Sequence, residues 1–311
     1  VSGLRVSVTG ATGLIGPPLV DALRDRDAQV TVLSRDPIRA AARLNAGGRR
    51  PVQAVAWDPL GEPAPAEALE GRDAVVHLAG ENVAQRWSEK ARRAIRESRV
   101  TGTRNLLAGL RRAEQRPRTL LSSSAIGYYG AHGEEPLDEG APPGADFLAE
   151  VCAAWEQEAA KATALGTRVA LVRTGVVLDP HGGALAKMLP PFRLGLGGPL
   201  AGGRQYTSWI HREDLIELML AALVDERWEG PINATAPEPV SNREFSRALG
   251  RALGRPAVLP VPGAALRLLY GEMAGMLVEG ARVVPAKALV LGYRFKYPHL
   301  REALRSALGR G

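Results

Sequence analysis

The chain reads as a doubly wound α/β protein, a parallel Rossmann-type sheet with helices on both faces and a smaller C-terminal lobe. Three observations predict this. Strand-like and helix-like segments alternate through the first two thirds of the 311 residues. The strand-like runs are nearly continuous Val, Leu and Ile, the pattern of strands buried on both faces. The first run, Leu4-Arg5-Val6-Ser7-Val8, passes through a glycine-rich turn straight into a helical stretch at Leu19-Val20-Asp21-Ala22-Leu23.

The further strand-like runs are Gln29 to Leu33, Val52 to Trp57, Ala74 to Leu78, Arg118 to Ser122 and Arg168 to Val172. Long helical patterns run from Ser88 to Ala113 and from Asp146 to Leu165. In such a sheet, ligands bind outside the carboxyl ends of the strands. Past Thr174 the texture changes. Gly182-Gly183, Gly195-Leu196-Gly197-Gly198-Pro199 and Gly202-Gly203 punctuate a loop-rich region. Helical patterns follow at Glu213 to Val224, Asn242 to Leu253, Gly263 to Glu279 and Leu300 to Leu308. The expected division is a dinucleotide-binding domain over 1–175 and a substrate lobe over 176–311 that interleaves with the sheet.

Composition narrows the class. No apolar run approaches the length of a membrane span. The first apolar run is a strand ending in the glycine turn, so no signal peptide is read there. The lone Cys152 excludes an intrachain disulfide, and a cytoplasmic setting follows as the expectation. The formal charge of +7 rests mostly on arginine. Clusters at Arg92-Arg93, Arg96, Arg99 and Arg111-Arg112 alternate with Glu89, Glu97 and Glu114, which reads as a solvated helix face and not a nucleic-acid site. The five histidines show no metal-ligand spacing, so no metal is expected.

The opening turn, Thr9-Gly10-Ala11-Thr12-Gly13-Leu14-Ile15-Gly16, spaces its glycines three apart. Side chains at these positions would hold the backbone away from a pyrophosphate or from the neighbouring strand. The amides of Thr12 to Gly16 can then face the anion at the helix start. An NAD site usually ends its second strand with an acid that binds the ribose hydroxyls. Here the strand ends Leu33-Ser34-Arg35. Arg35 can form paired hydrogen bonds to a 2′-phosphate and Ser34 can add one, which points to NADP(H). The competing role for Arg35 is a pair with Asp36. Asp58, after the third strand, is placed at the adenine edge. Leu78, Ala79 and Gly80 line the path toward the nicotinamide, with Glu81 following and Ser122 nearby.

Several stretches together carry a family resemblance. Besides the opening turn, they are His77-Leu78-Ala79-Gly80-Glu81-Asn82, Arg86-Trp87, Ser98-Arg99-Val100, Arg173-Thr174-Gly175-Val176-Val177-Leu178, Gly195 to Leu200, and Trp209-Ile210-His211-Arg212-Glu213-Asp214. With Val284-Pro285-Ala286-Lys287 and Leu291-Gly292-Tyr293, they cover essentially the whole chain. The sequence resembles an atypical branch of the extended short-chain dehydrogenase/reductases, the epimerase-family (NAD-dependent epimerase/dehydratase-like) proteins with their own C-terminal domain. The resemblance also points to NADP(H). It implies a small-molecule substrate and a homodimer built through the two long helices.

The resemblance further implies a serine at the end of the fifth strand that holds the substrate oxygen, and a Tyr-x-x-x-Lys pair whose cation lowers the phenol pKa. Leu121-Ser122-Ser123-Ser124-Ala125 supplies the serine, assigned to Ser124; the bland alternative is a set of strand-end hydroxyls bound to backbone. The pair is missing. Phe147 and Val151 stand where Tyr and Lys are expected, and no Tyr-x-x-x-Lys occurs in the chain. The acid/base must then come from Tyr128 or Tyr129 beside the serine, or from Glu81, Lys187 or His211. Tyr129 reads equally as a loop anchor, and His211 as a helix opener. Tyr128 with His132 and Tyr297 with Arg301 imitate the spacing without one helix face to share.

Three functions remain open. The first is an NADP(H)-dependent oxidoreductase acting on a small polar carbonyl or alcohol. The second is a nucleotide-sugar epimerase or dehydratase, with Arg193, Arg204 and Arg212 as candidates for its second phosphate site. The third is an NADPH-binding sensor or interaction protein with little catalysis.

Overall fold

The computed structural model describes residues 2–46 and 49–310. The outer bounds of the expected domain division, Val1 and Gly311, lie outside the described residues. Seven parallel strands form the central sheet: β1 (Arg5–Thr9), β2 (Gln29–Ser34), β3 (Gln53–Ala56), β4 (Ala74–His77), β5 (Thr119–Ala125), β6 (Arg168–Thr174) and β7 (Gly230–Ala234). Their order is β7-β6-β5-β4-β1-β2-β3. The chain reverses direction across the sheet between β1 and β4, and their carboxyl ends open the crevice where such folds bind ligands. The fold is thus the Rossmann-like α/β class expected.

The strands are buried because helices cover both faces. On one face α1 (Gly16–Arg24) and α6 (Arg212–Val224) pack Leu19, Val20, Leu23, Leu215, Leu218 and Met219 against Val6, Val8 and Val172. On the other, α3 (Glu89–Arg112) brings Leu106, Leu107 and Leu110 onto Val75, Leu120 and Val169, joined by Ala159 of α4 (Phe147–Ala160). Side chains therefore alternate along β5. Leu121 faces α1 and α6, while Leu120 and, by alternation, Ser122 and Ser124 face α3 and α4.

Helix starts follow local chemistry. Asp36 opens α2 (Pro37–Asn45), Ser88 opens α3 and Asp146 opens α4, each by accepting a first-turn backbone N–H. Ser241 and Glu244 form a reciprocal capping box at α7 (Asn242–Leu253).

Residues beyond 175 contribute α6, β7 and further side chains, among them Val177, Trp228 and Ala288, to the central core. A second core forms beside it. In it, α5 (Gly183–Arg193) supplies Leu185, Leu189 and Phe192, α7 supplies Phe245 and Leu249, and the last helix Leu300–Ala307 supplies Ala303 and Leu304 around Trp209. The helical pattern expected over 263–279 is broken. Helix Gly263–Tyr270 ends at Gly271, whose φ of +63° terminates the spiral, and a short helix resumes at Gly275–Val278. No helix among the described residues is long and apolar enough to cross a membrane.

Candidate functional site

The turn between β1 and α1 is built for close backbone approach. Gly10 has φ +67°, and a Cβ there would stand 2.6–2.7 Å from the backbone of Leu78 and Ala79. A Cβ on Gly16 would meet the Ala11 backbone at 2.4 Å. The Gly13 N–H closes the turn on the Gly10 carbonyl at 3.0 Å. Beyond it the donors stay open. Ile15 caps α1 without a side-chain bond, the first turn holds no acidic residue, and no described partner takes the Leu14 or Ile15 N–H. Pro17 and Pro18, the next residues, carry no N–H. Open amides at a helix start without a carboxylate fit an anionic diphosphate. The C-terminal lobe meets this turn: a Cβ on Gly182 would collide with the Leu14 side chain at 2.5 Å.

At the end of β2, Arg35 is exposed and enters none of the described ion pairs. Asp36 does not pair with it, because its carboxylate accepts the Arg39 N–H at 2.9 Å and caps α2. Ser34 Oγ lies within the same turn, 3.2 Å from the Asp36 N–H. Asp58, exposed beyond β3, accepts the Leu60 N–H at 3.1 Å.

The β4 end continues the groove. The Leu78 and Ala79 N–H groups bond back to Thr9, at its carbonyl and Oγ1, both at 3.2 Å. Gly80 and Glu81 are exposed, with the Glu81 N–H on Ser98 Oγ at 2.9 Å and its carbonyl accepting from Arg99 at 3.0 Å. Beneath them His77 bridges Thr9 Oγ1 and Thr103 Oγ1, and burial pushes its imidazole down to about 4, so it is neutral. Lys187 of α5 reaches across to the Ala84 carbonyl at 2.9 Å.

The serine end of β5 is closed. Ser122 is fully buried, its Oγ 3.3 Å from the Ser123 carbonyl. Ser124 is 4% exposed and its Oγ donates to Glu156 Oε1 of α4 at 2.6 Å. Arg173 of β6 grips that carboxylate with two bonds, Nε to Oε1 at 2.8 Å and Nη2 to Oε2 at 2.7 Å. Its Nη1 donates to the Tyr129 hydroxyl at 2.9 Å. Tyr129, with no exposed surface, also engages Asn233 Oδ1 at 2.6 Å and the Asp138 carbonyl at 2.9 Å. Burial drives its phenol up to about 12 against the pull of Arg173. The two tyrosines therefore part company. Tyr129 has the surroundings of the loop anchor that was its alternative reading. Half-buried Tyr128 carries the Arg173 guanidinium over its ring face, 3.5 Å from the centroid, and its hydroxyl has no described partner.

The positions that lack Tyr and Lys are packing positions. Phe147 stacks edge-on against Trp87 at 5.2 Å under the Arg92 guanidinium, and Val151 is buried. Cys152 is a core residue whose thiol burial pushes up to about 12. His211 caps α6 through the Glu213 N–H at 3.2 Å and stacks on Tyr297; burial lowers its imidazole to about 4. Of the three arginines proposed for a second phosphate site, Arg212 is held by the buried Asp179 carboxylate at 2.8 Å, while Arg193 ends α5 and Arg204 lies in an exposed loop. No described contact joins the three. Nor does any group of three or more His, Cys, Asp and Glu side chains with metal-holding geometry occur among the described residues.

Sequence reasoning missed Glu156, Arg173 and Asn233 as site components. One signal was present: Arg173 interrupts an otherwise apolar buried strand, and a buried guanidinium requires a partner.

Known proteins resemble this chain along nearly its whole length. Residues 6–233 match the NAD dependent epimerase/dehydratase family, and residues 261–307 match a domain of unknown function, DUF1731. An Arabidopsis thaliana protein named epimerase family protein SDR39U1 homolog, chloroplastic, is 42% identical over 99% of this chain and 87% of its own length. The crystal structure of human SDR39U1 (isoform 2) with NADPH superimposes with a TM-score of 0.86 at 34% identity, covering 99% of this chain and all of that one. A Corynebacterium glutamicum structure described as a nucleoside-diphosphate sugar epimerase matches at 36% identity and TM-score 0.78; it covers 99% of this chain, which spans 59% of that longer one. The chain belongs to the NAD dependent epimerase/dehydratase family, with a DUF1731 domain at its C-terminal end.

Proposed function

We infer that this protein binds NADP(H) and is an oxidoreductase acting on a small polar alcohol or carbonyl compound. One observation carries the reading: open amides at the uncapped start of α1 follow β1, and Arg35, in none of the described ion pairs, follows β2, the parallel neighbour of β1. The amides suit the diphosphate, and Arg35 with Ser34 suits the 2′-phosphate. The NADPH in the human relative's structure supports the same choice. When bound, the cofactor supplies or accepts hydride. Leu78 to Glu81 border its path, and Ser124 stands at the neighbouring strand end. Tyr128 is the proton-exchanging side chain in this reading, because its hydroxyl has no described partner and it lies in the turn that follows the serine strand. Tyr129 anchors the loop that presents it.

The epimerase reading has one observation in its favour, the Corynebacterium structure described as a nucleoside-diphosphate sugar epimerase. Arg212, tied to Asp179, weighs against a second diphosphate site.

The test is NADPH oxidation by purified protein against a panel of small carbonyl compounds, with UDP-sugar interconversion assayed in parallel. Carbonyl-dependent oxidation that disappears in Tyr128→Phe, with NADPH binding retained, supports the reading. Turnover of UDP-sugars alone would favour the epimerase. Tight NADPH binding with no turnover of either kind would favour the sensor.

A further inference from the structure

Ser124 occupies the strand end where the proposed function needs a substrate contact, yet its hydrogen is already placed. A serine hydroxyl carries one hydrogen and two lone pairs, and a carboxylate can only accept. The 2.6 Å contact between Ser124 Oγ and Glu156 Oε1 therefore fixes the hydrogen on that line. Glu156 cannot turn away, since Arg173 holds both of its oxygens. Burial works against the Arg173 cation, but the Glu156 carboxylate and the Tyr129 hydroxyl outweigh it and raise the guanidinium above its ordinary range. The far side of the clamp is equally fixed. Tyr129 and Asn233 complete the chain, and Asn233 Nδ2 ends it on the Val284 carbonyl at 3.0 Å, in the C-terminal domain.

We propose that Glu156 is a positioning residue that takes the hydrogen of Ser124, so that Ser124 meets a ligand only as an acceptor and selects a hydroxyl group over a carbonyl oxygen at that point of the site. The inference rests on the reading of this crevice as the substrate site. A carbonyl oxygen against Ser124 would set lone pair against lone pair and leave both without a bond. A hydroxyl brings the missing hydrogen. The substrate class thereby narrows to alcohols or polyols that seat an O–H on the serine, and this contact contributes binding selectivity, not proton removal.

The experiment compares two probes that differ only in this group, tetrahydropyran-4-ol and tetrahydropyran-4-one. Each is titrated into the NADP⁺-loaded full chain and followed by ligand-observed NMR. The alcohol should bind about tenfold more tightly, the size of one net hydrogen bond. Ser124→Ala should level the pair. Glu156→Gln, whose amide can donate to Ser124 and release its hydrogen, should move the preference toward the ketone, a change that general loosening would not produce. The comparison in the unaltered chain stands even if the Glu156 variant fails to fold. A ketone that binds as well as the alcohol there overturns the proposal. Binding of neither probe by NADP⁺-loaded protein overturns it too, while leaving the cofactor reading intact; failure to bind NADP⁺ at all defeats that earlier reading itself.

Discussion

The glycine turn and the serine end of β5 lie at the same edge of one sheet and are built in opposite ways. At the turn the donors are left open: helix-start amides without a cap, and Arg35 without a carboxylate. At the serine end the buried polar side chains are joined to one another, through Ser124, Glu156, Arg173, Tyr129 and Asn233, and the half-buried Tyr128 hydroxyl stands outside that network. Burial explains the contrast. Exposed donors are satisfied by water until an anion displaces it, so leaving them open costs little. A buried guanidinium or carboxylate left alone costs several kcal/mol. On the reading proposed above, the open half is the ligand-binding half, and the closed half sets the hydrogen-bond polarity of what binds.

Perturbing the closed half should have the largest effect. Glu156→Ala leaves Arg173 buried without its partner and should lower unfolding free energy by about 3–5 kcal/mol, read by urea denaturation. A loss below about 1 kcal/mol, the range of surface pairs, would mean that the clamp is not buried as described. The open half should respond in affinity, with a stability cost only where a backbone clash is introduced, as at Gly10. Gly10→Ala forces a Cβ into the Leu78 and Ala79 backbone and should weaken NADPH about a hundredfold, near 2.7 kcal/mol. Retained affinity would remove the turn from the site.

Arg35→Ala separates the two cofactors. Losing a charge-assisted contact of about 1.5–3 kcal/mol should weaken NADPH by at least about tenfold and leave NADH nearly unchanged. Equal losses would take Arg35 off the 2′-phosphate.

The smallest effect, per unit of pH, concerns His77, at the seam between the halves. Its imidazole is held near 4 when folded and returns to its ordinary 6.5 when unfolded. Between those values the unfolded chain binds the extra proton, so stability is full above pH 6.5 and falls as the pH drops toward 4. The slope reaches about 1.4 kcal/mol per pH unit. Denaturation midpoints across this window should fall less steeply in His77→Gln than in the unaltered chain. An identical slope would mean that His77 titrates freely.

The same contrast explains what the sequence disclosed. Open binding elements are local: the glycines, the following helix and Arg35 lie within consecutive segments and could be read in order. Strands β1, β2, β4 and β6 announced themselves by Val and Leu runs. β7 did not, because Gly230-Pro231-Ile232-Asn233-Ala234 has one β-branched residue and a proline; pairing with β6 makes it a strand, and its edge position tolerates the proline. The closed network was out of reach for a different reason. Glu156 and Arg173 lie on a helix and a strand, Asn233 comes 60 residues after Arg173 on the far edge strand, and only tertiary packing joins them. Tyr128 and Tyr129 are adjacent and chemically identical in sequence. Which one points inward depends on the turn Ile126–Tyr129, whose geometry no spacing rule encodes.

Titration calorimetry of the unaltered chain with NADPH and with NADH tests the central claim most directly. The account predicts saturable binding of both, with NADPH at least about tenfold tighter through Arg35 and Ser34. No saturable heat with either nucleotide, or equal affinity for the two, would contradict it.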